Sequence, residues 1–347
     1  YIPPESGAVV VMNVENGEIP VFVSLPSYDP NSFTERLSYK NWNRLNSHPR
    51  KPLLNRVVSG LYSPGSTFKM IVLAAALEAG VISSKTKIEC KKGEFEFGNT
   101  IFHCWNKFGH GHLNCIQAIE QSCDIFFYQI ALLTGIEKIH QMAKKFGLGE
   151  ISSLNFSAEK KGIIPNRKWK NLVKGTSWTP GETVISGIGQ GFVLTTPLQL
   201  VIMTSRIANG IFRVSPQLTK GNLKLKKYTE LNVNKNVIEI LKKGMIAVTN
   251  GSKGTARKHN LKKYGIAGKT GTVQVKRITK DQREKGIIEN IDRPWKERDH
   301  SLFVGYAPIK KPKYAISVII EHGGSGSKMA APIARDILEF ILKKDFE

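Results

Sequence analysis

Strand-like segments cluster at the two ends of this chain, and helical patterning fills the middle. Near the start, Gly7 to Val14 and Ile19 to Ser24 flank Glu15-Asn16-Gly17-Glu18. An Asn-Gly turn between β-rich runs predicts a hairpin. Near the end, Tyr264 to Val275, Ser301 to Tyr306 and Tyr314 to Glu321 read as strands, followed by a helix from about Pro332 to Lys343. Between these regions, helices are expected over Ser66–Ala79, Leu113–Leu133, Ile136–Phe146, Pro197–Ala208 and Val237–Thr249. Residues 26–64 and 150–185 read as irregular, and 86–112 as loops and short elements. One sheet built from both termini, with a helical insertion, fits this order. The expected class is α/β of the α+β type: a five-stranded, mainly antiparallel sheet flanked by helices. A single domain is expected over 1–347, with a sheet part at about 1–85 and 260–347 and an all-helical part at about 86–259. The charge-dense connection Lys276 to His300 is long enough to suggest a functional or mobile segment.

The chain carries 51 lysines and arginines against 28 acids, a net charge of +23. Lysines are scattered, as at Lys160-Lys161, Lys242-Lys243 and Lys310-Lys311, rather than gathered into a stripe interleaved with aromatics. That distribution argues against a nucleic-acid partner. It leaves a solvated basic surface or attraction to an anionic polymer or membrane. No stretch of 18 apolar residues occurs, so no spanning helix is expected. The chain opens at Tyr1 without methionine or signal peptide and reads as a piece of something longer.

The chemistry-bearing residues begin with Ser63-Pro64-Gly65-Ser66-Thr67-Phe68-Lys69. Serine needs a neighbouring base to become a nucleophile. At positions i and i+3 of a helix, Ser66 and Lys69 share a face. Ser84/Lys87, Ser157/Lys160 and Ser325/Lys328 have the same spacing. Only Ser66 has a Pro-Gly turn before it and a long apolar run, Ile71 to Leu77, after it; taken alone it could be an N-cap. Two further motifs follow in order. Ser122-Cys123-Asp124 is expected on the helix after Leu113, and Lys269-Thr270-Gly271-Thr272 on the first returning strand.

These three motifs, in this order, resemble the set shared by serine penicillin-binding proteins and serine β-lactamases. Asn55-Arg56…Gly60…Ser63 to Lys69 is similar to the class B penicillin-binding form. So is Gly187-Ile188-Gly189-Gln190-Gly191 followed by Thr195-Thr196-Pro197-Leu198-Gln199. Trp105 to Gly111, then Glu120 to Tyr128, resemble the elongation-specific branch, the penicillin-binding protein 2 group. Asp124 stands where most of the superfamily has asparagine, and the elongation branch often has aspartate. The resemblance implies that Ser66 attacks, Lys69 takes its proton, and Ser122 bridges Lys69 and Lys269. Lys269, Thr270 and Thr272 suit a substrate carboxylate, with Asp124 and Gly271 also in the binding site. The N–H groups of Ser66 and Thr272 would form the oxyanion hole. An ionised Asp124 beside the lysines would favour their ammonium forms, which weighs against Lys69 as a neutral base. The implied reaction joins peptidoglycan stem peptides ending in D-Ala-D-Ala, with β-lactams as mimics and no cofactor for catalysis. The branch also implies a membrane anchor and pedestal outside this chain, which contact a SEDS-family glycan polymerase (RodA) and MreC. The parent would be anchored in the inner membrane of a Gram-negative bacterium, with this domain in the periplasm. A β-lactamase, a β-lactam sensor and a D,D-carboxypeptidase share the motifs; Glu182 is an unassigned acid for the first of these.

All four cysteines, Cys90, Cys104, Cys115 and Cys123, are confined to one short region. On one helix Cys115 and Cys123 would lie about 12 Å apart, too far for a disulfide. Cys90, Cys104, His110 and Cys123 are a Cys₃His set that suits structural zinc. Parts of the elongation branch resemble this arrangement with other ligands. A Cys90–Cys104 disulfide or unlinked buried thiols are the alternatives, and His112 or, less readily, His103 could replace His110.

Overall fold

The computed structural model describes residues 6–34, 37–219, 228–260, 263–276 and 288–346. Strands β1 (Gly7–Asn13) and β2 (Val21–Leu25) form the expected hairpin, with Val11 opposite Val21. Helices α1 (Tyr39–Asn46) and α2 (Arg56–Ser59) follow, then a 3-10 turn, Gly65–Phe68, and α3 (Lys69–Glu78). Short strands β3 (Ile88–Lys91), β4 (Glu94–Phe97), β5 (Thr100–His103) and β6 (Gly109–Leu113) make two small antiparallel ladders, β3 with β6 and β4 with β5. Next come α4 (Cys115–Glu120), α5 (Asp124–Thr134), α6 (Ile136–Lys145), α7 (Arg167–Lys174), α8 (Pro180–Ser186), α9 (Pro197–Asn209) and α10 (Lys235–Asn250). The chain then returns through β7 (Ala267–Val273), β8 (His300–Ala307), β9 (Tyr314–Ile320) and α11 (Ala330–Phe346).

The main sheet has the order β2-β1-β9-β8-β7, with every pair antiparallel. The N-terminal hairpin thus joins the three C-terminal strands, as the sequence layout implies. β9 is buried along its whole length and packs against α9 and α11. That explains its apolar run, interrupted only by Ser317, since burial on both faces removes the usual alternation. α3 is apolar all round because it is buried all round, packed on α5, α6 and α10. α9 begins with a capping box, Thr196 and Gln199 each binding the other's backbone, with Pro197 in the first turn. The Thr-Thr-Pro-Leu-Gln signature is therefore, locally, a helix start.

Three expectations need correction. The segment 86–259 is not all helical, because β3 to β6 lie within it. Those strands are short and carry histidines, glycines and acids, so they lack the long β-branched runs that announce a strand. Residues 26–64 contain α1 and α2, and 150–185 contain α7 and α8, each too short to show periodicity. The helix expected over Leu113–Leu133 is broken in two. Of the charge-dense connection, residues 277–287 lie outside the described set.

The start of β8 carries a half-buried histidine that pairs with a second one. His300 and His322 lie 4.5 Å apart between ring centroids, and the His322 N–H donates to His300 Nδ1. Tyr62 packs edge-on against His300, while Glu321 holds Tyr62, Ser6 and Arg56 nearby. Burial, then the neighbouring His322, pushes His300 down to about 4. The folded chain therefore refuses a proton that the unfolded chain accepts below about pH 6.5. Stability from this group is complete above that pH and declines as pH falls towards 4, by at most about 1.4 kcal/mol per pH unit. His300→Asn should flatten urea-melt stability across this window; an unchanged slope between pH 6.5 and 4 would show that another group titrates there.

Candidate active site

Ser66 sits in the 3-10 turn that runs straight into α3, and Lys69 is the first residue of that helix. The serine is half-buried and Lys69 wholly buried. The turn is held from two sides. The Gly65 N–H donates to Gly189 O at 3.0 Å, and Gly189 has φ +70°. A Cβ at Gly189 would stand 2.3 Å from Gly65 O, so the Gly187–Gly191 motif is small because it backs the nucleophile turn. On the other side, Gly271 of β7 faces Thr67 and Pro64, where a Cβ would meet both at 3.3–3.4 Å. β7 is the sheet's edge strand, so its outer side faces this turn.

The second motif is a turn rather than part of a helix. α4 stops at Glu120, α5 starts at Asp124, and Ser122 adopts φ +54° between them. In a continuous helix the Ser122 carbonyl would be taken by the backbone four residues on. Here it accepts from Lys69 Nζ at 2.9 Å and from the Trp105 indole N–H at 3.1 Å. The Ser122 hydroxyl lies 3.3 Å from Lys69 Nζ and 2.8 Å from Lys269 Nζ. Ser122 therefore joins the helix lysine to the strand lysine. Lys69 also forms a 2.7 Å ion pair with Asp124 Oδ1. Asp124 Oδ2 accepts from the Trp105 backbone N–H at 2.9 Å.

Two lysines and one carboxylate share this buried space. Burial and the Lys69 charge push Lys269 well below the ordinary lysine range, opposed by Asp124. Burial pushes the Asp124 carboxyl up, and Lys69 pulls it back. On β7, the Thr270 hydroxyl pairs with that of Thr255 at 2.8 Å, and the Thr272 hydroxyl accepts from the Gly326 N–H at 3.2 Å. Thr272 is exposed while Lys269, Thr270, Gly271 and Val273 are buried. Thr255 and Gly326 escaped the sequence reading because both lie in loops without a distinguishing pattern. Glu182 is committed elsewhere: it pairs with Lys170 at 2.6 Å and caps α8 through Thr179.

Beside this constellation, one ligand atom from each of Cys90, Cys104, His110 and Cys123 lies within 4.8 Å of the others. His110 Nδ1 is 3.5 Å from both Cys90 Sγ and Cys104 Sγ. No disulfide joins these cysteines. Thiols of Cys104 and Cys123 donating to Cys90 bring it down to about 3, while Cys123 is pushed up by the sulfurs it faces. His110 Nε2 is buried without a partner. A soft Cys₃His set converging on one point fits zinc. Cys115 stands apart, bonded to Ser83 O, and the broken helix separates it from Cys123. His112 and His103 lie instead beside Glu89 and Glu94.

Residues 7–339 match the family described as the penicillin binding protein transpeptidase domain. A protein named peptidoglycan D,D-transpeptidase MrdA in Salmonella typhimurium is 35% identical over 350 residues, covering 97% of this chain and 55% of that protein. The chain thus spans about half the length of this relative. Among solved structures, Pseudomonas aeruginosa PBP2 in complex with WCK 5153 aligns with a TM-score of 0.85 at 35% identity, covering 97% of this chain and 71% of that one. PBP2 in a complex with MreC from Helicobacter pylori aligns at 0.89 and 33% identity, covering 99% and 61%.

Proposed function

The chain belongs to the penicillin-binding protein transpeptidase family, and from that premise we propose that it is the catalytic domain of an elongation-specific peptidoglycan D,D-transpeptidase. The observation that carries this reading is the Ser122 hydroxyl held between Lys69 and Lys269 one turn from Ser66. Ser66 attacks the carbonyl of a stem peptide's penultimate D-alanine. Lys69, in its neutral form, takes the hydroxyl proton. The Ser122 hydroxyl, 3.3 Å from Lys69 Nζ and 2.8 Å from Lys269 Nζ, is placed to pass a proton between the two amines. The same hydroxyl then relays a proton to the departing D-alanine.

Lys269, in its ammonium form, with the hydroxyls of Thr270 and Thr272, binds the donor's terminal carboxylate. Gly271 lets the edge strand pack against the nucleophile turn, and the donor backbone lies along that strand in the manner of strand addition. Asp124 positions Lys69. The backbone N–H groups of Ser66 and Thr272 stabilise the oxyanion. An amine from a second stem resolves the acyl-enzyme into a cross-link. A β-lactam acylates Ser66 in the donor's place. With Glu182 held by Lys170, rapid hydrolysis through that acid is disfavoured.

Cys90, Cys104, His110 and Cys123 would hold a structural zinc, which when bound ties the β3–β6 region to the turn carrying Ser122 and Asp124. It takes no part in the acyl transfer. The parent protein is anchored in the inner membrane with this domain in the periplasm, and it works with MreC and a RodA-type polymerase through regions outside this chain. The MreC complex of the Helicobacter pylori protein supports the first partner. No helix among the described residues is long and apolar enough to cross a membrane.

Fluorescent penicillin followed by tryptic digestion tests the assignment. One adduct should appear, on the peptide Val57–Lys69 at Ser66. Adduct elsewhere, or none, overturns it. With a D-Ala-D-Ala donor, product should shift from acid to amide when an amine acceptor is added; acid alone would mark a carboxypeptidase.

A further inference from the structure

A recess of about 690 Å³ opens where the α5–α6 junction meets α7 and α8. None of its lining residues belongs to the Ser66, Ser122 or Lys269 motifs. Leu132, on its wall, lies two turns along α5 from Asp124, about 12 Å by helix rise. α8 runs from the recess to the Gly187–Gly191 segment that backs the Ser66 turn. The recess therefore sits at the far end of two helices that support the proposed site, outside its cleft. Leu132 and Ile136 make part of its wall apolar, and Trp178 adds a half-buried indole. That indole is fixed at its polar edge, its N–H donating to Thr183 Oγ1 at 2.8 Å.

The charge around the recess is one-sided. Arg167 and Lys168 line it and are exposed, and among the described residues neither side chain has a hydrogen bond or ion pair. Two acids on adjoining helices are already engaged: Glu137 accepts the Arg167 backbone N–H at 3.1 Å, and Glu182 is paired with Lys170 at 2.6 Å. The ten-residue helix α6 also starts here, at Gly135 and Ile136, with no side-chain cap, so its positive end is open to the recess. A fixed aromatic ring beside unpaired cations suits a ligand with both a flat apolar face and carboxylates. A peptidoglycan disaccharide-peptide has both, in the C–H faces of its sugars and the free carboxylates of its stem. We propose that this recess is a second peptidoglycan site, remote from acyl transfer, which holds stem carboxylates at Arg167 and Lys168 and a sugar face at Trp178. The identity of the ligand rests on the transpeptidase reading; the recess does not. An anionic membrane is the rival, because Leu172 and Val173 of α7 are 75% and 57% exposed. Those two side chains do not line the recess, and a concave site fits a ring and short chain better than a flat bilayer.

The test uses the whole chain with Ser66 already acylated by benzylpenicillin, so that the catalytic cleft is filled. Calorimetric titration with N-acetylglucosaminyl-N-acetylmuramyl-tetrapeptide should still show binding. Arg167→Glu with Lys168→Glu should weaken it about tenfold or more, since two attractions become repulsions. Lys310→Glu with Lys311→Glu reverses two exposed lysines elsewhere, makes the same change in net charge, and should cost less than about twofold. The tetrapeptide without its sugars should bind about fivefold more weakly or worse. Penicillin acylation of the Arg167/Lys168 variant should match the wild type, which also reports that it folds. No binding to the acylated wild type at millimolar ligand, equal losses in the two double variants, or equal affinity for the bare tetrapeptide overturns the proposal. So does capture on phosphatidylglycerol vesicles that depends on Arg167 and Lys168 while the muropeptide stays unbound. Failure of benzylpenicillin to acylate the wild type would instead remove the transpeptidase reading, and the same titration, run on the free chain, would still decide the recess.

Discussion

Penicillin acylation is expected to vanish in Ser66→Ala and to fall by about a thousandfold in Lys69→Met, within the usual range for removing a general base. The two losses have different origins. Ser66→Ala removes the nucleophile from a half-buried turn and should leave folding unchanged. Lys69 is wholly buried against Asp124 at 2.7 Å and the Ser122 carbonyl at 2.9 Å. Removing it strands a buried carboxylate, and breaking such pairs costs about 3–5 kcal/mol. The double variant Lys69→Met with Asp124→Asn separates these effects. It should regain much of the thermal stability and none of the acylation rate, measured by stopped-flow with a chromogenic cephalosporin. If the double variant acylated at the wild-type rate, Lys69 would be no base.

Much of this architecture could be read before any coordinates. The hairpin, the three returning strands and the buried helix after Ser66 announced themselves by long apolar runs and an Asn-Gly turn. The elements that escaped are short ones whose form is dictated by what they hold. The turn at Ser122 is the clearest case. Cys115 to Thr134 has continuous helical patterning, and nothing local demands a break. The break arises because Lys69 and Trp105, distant in sequence, both claim the Ser122 carbonyl. Likewise β3 to β6 are only four or five residues each, too short to announce themselves as strands, but they place Cys90, Cys104 and His110 around one point. Motif residues were legible because their types and order carry the chemistry. Thr255 and Gly326 were not, since their part depends on loops that meet β7 only in the folded chain.

Metal removal should weaken stability and reactivity together, and that coupling follows from the backbone around Cys123. Cys123 occupies the N-cap of α5 but makes no side-chain cap bond, so its sulfur is left to the cluster. Asp124, the next residue, donates its N–H to Cys104 Sγ at 3.4 Å. Trp105, next to Cys104, returns a bond to the Asp124 carboxylate. The sulfurs and the lysine partners therefore share one short loop of covalent and hydrogen bonds. Protein purified without chelator should contain about one zinc per chain, consistent with a four-ligand structural site. Stripping it, or substituting Cys123→Ser, leaves the remaining sulfurs and His110 without the ion that would join them. The melting temperature should then drop by about 3 °C or more, roughly what 2 kcal/mol removes from a chain of this length. Acylation should slow about tenfold, at the lower end for groups that orient a site from outside it. Zinc added back to the stripped wild type should restore both. Elemental analysis finding no zinc would end the metal reading. Zinc present, with stability lost but acylation unchanged, would show that the cluster holds the β3–β6 region without reaching Ser122.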